Sequence, residues 1–258
     1  MNNPTRNENT QPWKTLYRIA GTAAAGVVLV MLAEILISFV PAGATLPETV
    51  IGWFELLQSR PFIGLRNLGL INVISILLGV PVALALYVLL RRTDRSYAAL
   101  ALASSLLGTA VFLATNRAFP MLALSHRYAV AATEIERAAL VAAGQALLAV
   151  GASHTPGTFL GFLLGSVAGI TNAALMVRSP TFPRATAYVG LAGTSLLLIF
   201  DSGVSFAPAL WNPLMVVAMI GGLSSITWYG LVARDLWREA REISLRPYVR
   251  RADPAGGL

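Results

Sequence analysis

Residues 157–177 read GTFLGFLLGSVAGITNAALMV. Gly157, Gly161, Gly165 and Gly169 fall at every fourth position, and Ala173 extends the row. On a helix this spacing strips one side of its side chains and leaves a groove of bare backbone. Phe159, Leu160, Phe162, Leu163, Leu164 and Val167 occupy the positions between. As a helix the stretch is about 31 Å long, enough to cross the hydrocarbon core of a bilayer. Lipid supplies no hydrophobic force between helices, so close approach over small residues takes its place. The stretch therefore reads as a spanning helix at the centre of a membrane bundle. Its groove serves first to pack against other spans of the same chain. A homo-oligomer contact or a pore-lining seam would use the same surface.

The composition agrees. Of 258 residues, 56% are hydrophobic and 12% charged, and mean hydropathy is +0.67, outside the range of soluble globular chains. The chain has no cysteine, which excludes disulfides, thiolate catalysis and thiolate metal sites. Net charge is +7, carried almost wholly by Arg, with Lys14 the single lysine. The basic residues are placed as membrane orientation requires, and nucleic acid is not an expected partner.

Working outward, residues 1–12 are polar and read as a disordered tail. A first span covers about 17–40 and contains Glu34. A signal peptide cleaved after Ala42-Gly43-Ala44 is the competing reading, but the apolar run is longer than a usual signal core, which favours an uncleaved anchor. In TLPETVIGWFELLQSRP, Thr45 and Glu48 have capping-box spacing. Val50, Trp53, Phe54 and Leu57 share one face of a helix too short to span. It reads as interfacial, with Trp53 at headgroup level. A second span, about 65–90, carries Arg66 near one end, Asn72 inside and Pro81 at an expected kink. Ser96 is placed to cap a third span, 97–115, in which Ala101, Ser105 and Thr109 form another small-residue row. Residues 126–151 form a helix whose apolar half, 138–150, is too short to cross comfortably. His126, Thr133, Arg137, Gly144 and Gln145 are expected on one side of it. The glycine-rich helix is the fourth span, 185–200 the fifth, ended near Asp201, and 210–232 the sixth.

The expected architecture is all-α: a polytopic membrane domain over 13–235 with six spans and two interfacial or extracytoplasmic helices, then a basic tail over 236–258. Six spans put both termini on one side. That side holds Arg6, Lys14, Arg18, Arg91, Arg92, Arg95, Arg178, Arg184, Arg234, Arg238, Arg241, Arg246, Arg250 and Arg251, fourteen of the nineteen basic residues. By the positive-inside rule that side is cytoplasmic.

Three stretches resemble a known group. They are TNRAFPMLALSHRYAVAATEIERAALVAAGQALLA from Thr115, GTFLGFLLGSVAGITNAALMVRS from Gly157, and FPRATAYVGLAG from Phe182. They are similar to prokaryotic six-span membrane proteins classed as a domain of unknown function, family number 4386. The second half of the chain carries the likeness, and the first half shares only its hydropathy. The resemblance implies a bacterial or archaeal inner-membrane protein and transfers no activity or catalytic residue.

Residues that could carry chemistry are few. There is no HExxH, no GxSxG, and no histidine expected at bilayer depth, since His126 and His154 are read outside the spans. No catalytic set, metal site or cofactor signature emerges, and an intramembrane enzyme ranks behind two other readings. Intramembrane polar groups are the default pointers to function. Glu34, at a cost of about 2.5–3.5 kcal/mol if unpaired at mid-bilayer, either pairs with Arg66 as a staple or lines a substrate path. Asn72 and Asn172 act as interhelical hydrogen-bond glue, worth about 0.6 kcal/mol each, or line the same cavity. A second set, Asn116, Arg117, His126, Arg127, Tyr128, Glu134 and Arg137, is either the polar face of an amphipathic helix or an extracytoplasmic lid for an anionic group. Membrane lipids are expected partners, with Arg234, Arg238 and Arg241 on one helical face available to anionic headgroups. A homo-oligomer is a further expectation. The functional readings are a membrane protein that binds or transports a small molecule or lipid, and a non-catalytic scaffold or accessory subunit.

Overall fold

The computed structural model describes residues 11–38, 46–151 and 154–252, with side chains described for 13–38, 46–151 and 154–243. The proposed cleavage site at 42–44, Thr45 and most of the N-terminal tail lie outside these residues. Among the described residues there are ten α-helices and no strand: α1 Gln11–Ser38, α2 Val50–Ser59, α3 Pro61–Asn67, α4 Leu70–Leu90, α5 Arg95–Thr115, α6 Ala118–Val130, α7 Glu134–Val150, α8 Pro156–Arg178, α9 Arg184–Phe206 and α10 Trp211–Ala252. Six of them (α1, α4, α5, α8, α9 and α10) are long and apolar enough to cross a membrane. The chain is a multi-pass membrane protein.

The spanning helices form a closed ring. Each packs on two neighbours in the order α1, α4, α5, α8, α9, α10 and back to α1, and α4 also touches α8 across the middle. Small residues set the seams. A Cβ added to Gly108 of α5 would lie 3.2 Å from the carbonyl oxygen of Gly161 and 3.2 Å from the amide nitrogen of Gly165 on α8. A Cβ on Gly193 of α9 would lie 3.2 Å from the Ser225 amide of α10. On α1, Gly21 takes the indole of Trp237 from α10. The glycine row of α8 is thus shared out: Gly157 meets Val150, Gly161 meets α5, Gly169 meets Thr194 of α9, and Gly165 faces open space.

The two ends of the ring differ. At the tail end, where α1 begins and α10 ends, Tyr17, Leu86, Leu89, Leu90, Met176, Ala187, Val232 and Leu236 belong to one buried apolar cluster. At the opposite end the four short helices form a cap with its own core of Val50, Trp53, Phe54, Leu57, Leu68, Ala118 and Met121. Gly69, at φ 100°, turns the chain from α3 into α4. The left-handed backbone there suits glycine and strains other residues.

The cap departs from the sequence reading at several points. The apolar face of α2 is as expected, but Trp53 is only 6% exposed and lies in the cap core rather than at a lipid surface. The cap of α2 is Thr49, whose hydroxyl accepts from the Gly52 amide, and Asp94 rather than Ser96 caps α5. The segment from His126 is not one helix. It breaks at 131–133, where Thr133 caps α7 by accepting from the Glu136 amide. The break removes the shared face expected of His126, Thr133, Arg137, Gly144 and Gln145. Gly144 instead abuts Val50 and Phe54 of α2. At the other end α9 runs past Asp201 to Phe206, and α10 continues as helix through the start of the expected basic tail.

The seams generate a paired test. Gly108→Val drives a side chain into the backbone of α8 and costs about 1–3 kcal/mol. Gly165→Val finds nothing within 4 Å of its new Cβ and leaves stability unchanged or slightly raised. Thermal unfolding of the two variants in detergent separates them, and equal losses would contradict the assigned seams.

Candidate functional site

The ring holds a chamber of about 360 Å³, partly open to its surroundings. All six spanning helices contribute to its wall. The wall is largely apolar, from Val27 and Met31 of α1 to Trp228 of α10, with the polar groups Asn72, Ser105, Thr109, Ser166, Asn172 and Ser225 distributed around it. The small row of α5 thus turns Ser105 and Thr109 inward, and the contact with α8 falls to Gly108. Gly79 and Gly165 leave room where larger residues would fill the centre. Asp201 is the one charged residue on this wall among the described residues.

A second chamber, about 230 Å³, lies at the cap end. Asn72, Phe112 and Phe162 line both chambers, so the two meet at these side chains. The rings of Phe112 and Phe162 stand edge to face at 6.1 Å. This outer chamber, or vestibule, carries Glu34, Arg66, Asn67, Asn116 and Arg117. Arg66 Nη2 donates to Glu34 Oε1 at 3.3 Å. The Arg66 side chain is 14% exposed and that of Glu34 40%. Arg117 Nη1 donates to the Leu148 carbonyl at 2.8 Å, which ties the α5–α6 corner to the end of α7. Its Nε is buried and has no hydrogen-bond partner among the described residues. Asn116 Oδ1 accepts from the Ala118 amide at the start of α6, at 3.0 Å.

The structure regroups the residues singled out in the sequence. Glu34, Arg66, Asn72, Asn116 and Arg117 come together in the vestibule, drawn from both candidate sets, while Asn172 lies in the inner chamber, 7% exposed. The rest of the second set stands apart. Tyr128 packs on Phe54 in the cap core, ring centroids 5.2 Å apart. Arg137 holds the exposed Glu134 at 3.3 Å. His126 and Arg127 are exposed on α6. Arg234 and Arg238 of α10 make contacts back to the bundle while their side chains stay 57% and 45% exposed. Arg234 Nη2 lies 2.9 Å from the fully buried Asp235, which also accepts from Thr186 Oγ1 at 2.9 Å. Arg238 Nη2 donates to the Thr181 carbonyl at 2.6 Å. These contacts staple the tail end, and Arg234, Arg238 and Arg241 all keep exposed side chains.

Sequence reasoning passed over one polar pair. His154 precedes α8, with φ at 56°, and its Nδ1 donates to Asp201 Oδ1 at 2.8 Å. Its ring stacks on Phe162 at 5.3 Å and meets the edges of Phe200 at 4.9 Å and Trp211 at 6.0 Å. Asp201, 5% exposed, lies within α9 because the helix continues for five residues beyond it. The signal available was FDSGVSF, residues 200–206, which carries a helical apolar pattern past the charge.

The unequal burial of the vestibule pair predicts unequal costs. Arg66→Met lowers thermal stability more than Glu34→Gln, because the carboxylate keeps its access to water. The coupling in a double-mutant cycle stays within about 1 kcal/mol, as for partly solvated pairs. Coupling of several kcal/mol would instead mark the pair as the principal staple between α1 and the α3–α4 turn.

No curated protein and no solved structure matches the chain. A family profile described as a domain of unknown function, DUF4386, matches residues 19–231. That match reaches all six spanning helices and takes in the cap and both chambers, leaving out the start of α1 and the end of α10. The chain belongs to the DUF4386 family.

Proposed function

We propose that this protein binds a small amphipathic molecule with an anionic group, the charged end in the vestibule and the apolar body in the inner chamber. The observation that carries the reading is the closed ring around a chamber walled by all six spans. A ring in lipid could collapse on its own centre, yet this one is kept open at Gly79 and Gly165 and filled solidly only at the tail end. The inner volume falls within the range of small-molecule sites, about 300–1,000 Å³, and such sites combine apolar walls with a few placed polar groups. The vestibule supplies two guanidinium groups against one carboxylate. The buried Nε of Arg117 gives a planar donor in a place where an unmet polar group is costly. Asn72 at the junction can serve either part of a ligand.

The scaffold reading draws on the Glu34–Arg66 pair, which a purely structural bundle would also contain. It leaves the two chambers without a use. Orientation follows from charge: the loops at 91–95 and 178–184 lie at the same end as the start of α1 and the end of α10. We place that end in the cytoplasm and the cap and vestibule outside.

Native mass spectrometry of the protein in mild detergent tests the binding reading. A defined adduct is expected on the wild type, weakened by Arg117→Gln and displaced by Gly165→Leu, which fills the inner chamber. A bare wild-type protein, or an adduct indifferent to both substitutions, would move the scaffold reading to first place. The cysteine-free sequence makes orientation directly measurable. In right-side-out vesicles Ala132→Cys reacts with a membrane-impermeant thiol reagent and Thr93→Cys does not; the reverse pattern would invert the placement.

A further inference from the structure

We propose that His154 and Asp201 form a proton-binding site that controls the passage between the vestibule and the inner chamber; the proposal rests on the two-chamber reading above. An ionisable residue within a span, met by a specific partner, is the usual mark of a functional rather than a packing position. Asp201 is such a residue, and its partner reaches it from 47 positions away in the chain. The pair adjoins the passage. Phe162, which with Phe112 and Asn72 lines both chambers, is the ring on which His154 stacks, with 13° between the planes. The chain of contact therefore runs from Asp201 through the imidazole to Phe162 and on to Phe112.

Besides the ring contacts with Phe200 and Trp211, two interactions of the imidazole depend on its charge. An imidazolium donating to a carboxylate makes a charge-assisted bond, roughly twice as strong as a neutral one. A cation against an aromatic face is attracted by the ring quadrupole, and Phe162 offers that face. When the proton leaves His154 for water, the second attraction disappears and the first weakens. The imidazole is then free to leave the stack, and Phe162 loses the surface that fixes its rotamer beside Phe112. The proton-loaded site is the closed state and the proton-free site the open one.

Asp201 and Phe200 come from α9, Phe162 from α8 and Trp211 from α10. The other charged groups on the chamber walls are Glu34, Arg66 and Arg117, all in the vestibule. His126, the one other histidine, is exposed on α6 in the cap. Histidine as a residue type changes charge between about pH 5 and about pH 8, which sets the window for the test.

The test uses single cysteines in the cysteine-free chain, reconstituted in lipid. Ser166→Cys reports on the inner chamber and Thr115→Cys on the vestibule. Each is labelled with a small water-soluble methanethiosulfonate across that pH window. Each rate is divided by the thiolate fraction of its own cysteine, since the thiolate is the reacting species, and the ratio of the two is taken. The ratio is expected to rise several-fold with pH, with its midpoint at the His154 titration read by imidazole-¹⁵N NMR in a His126→Gln background. His154→Gln, which keeps a donor but carries no charge, and Asp201→Asn should each abolish the rise. A ratio that does not change with pH in the wild type, or a rise that persists in both variants, overturns the proposal. An inner cysteine that is silent at every pH beside a reactive vestibule cysteine contradicts the two-chamber reading itself.

Discussion

The approach of Gly108 on α5 to Gly161 and Gly165 on α8 sets the geometry on which the rest of the ring depends. In lipid, two helices gain nothing from hiding apolar surface from each other, because the solvent is as apolar as they are. They hold together by backbone contact and by the polar groups they share. The seam between α5 and α8 is backbone on backbone, and α9 meets α10 in the same way at Gly193. Close seams draw the ring tight around its rim. They do not fill its centre, where Gly79 and Gly165 present no side chain at all. The same residue type therefore serves two opposite purposes, contact at the wall and vacancy inside it.

That division explains why the molecule is solid at one end and hollow at the other. The tail end is closed by large apolar side chains and by Asp235, which collects Thr186, Arg234 and Arg238 around one buried carboxylate. The cap end is roofed by four short helices whose own core does not extend into the ring. Polar residues gather where these two regimes meet. Glu34, Arg66, Asn116 and Arg117 face the vestibule, and His154 with Asp201 stands beside its floor. A molecule whose charged part stays near the cap and whose apolar part reaches inward fits this gradient of polarity.

Much of this was legible in the sequence. Long apolar runs identify spans because few other structures can satisfy a backbone in hydrocarbon, and the four-residue glycine period marks a packing helix without any knowledge of its partner. The Glu34–Arg66 pair was also readable, since both residues fall near the same end of adjacent spans. Other features depended on contacts between distant segments. Asp201 reads as the end of a span because an isolated carboxylate belongs at the membrane edge; among the described residues it is His154, far away in the chain, that meets it. Trp53 reads as an interfacial anchor until α6 is folded over it. The break before α7 was within reach, because Thr133 and Glu136 have the spacing of a capping box, although the Glu136 carboxylate accepts from the Ala132 amide, one residue before the cap, at 3.3 Å.

The central claim is that the ring is hollow and occupied by a ligand of mixed polarity. A density map of the protein in lipid nanodiscs tests it most directly. The account predicts non-protein density continuous from the Arg117 guanidinium, past Phe112 and Phe162, into the space beside Gly165 and Asn172. A ring collapsed at its centre, with α4 and α8 in contact along their length and no such density, would contradict it.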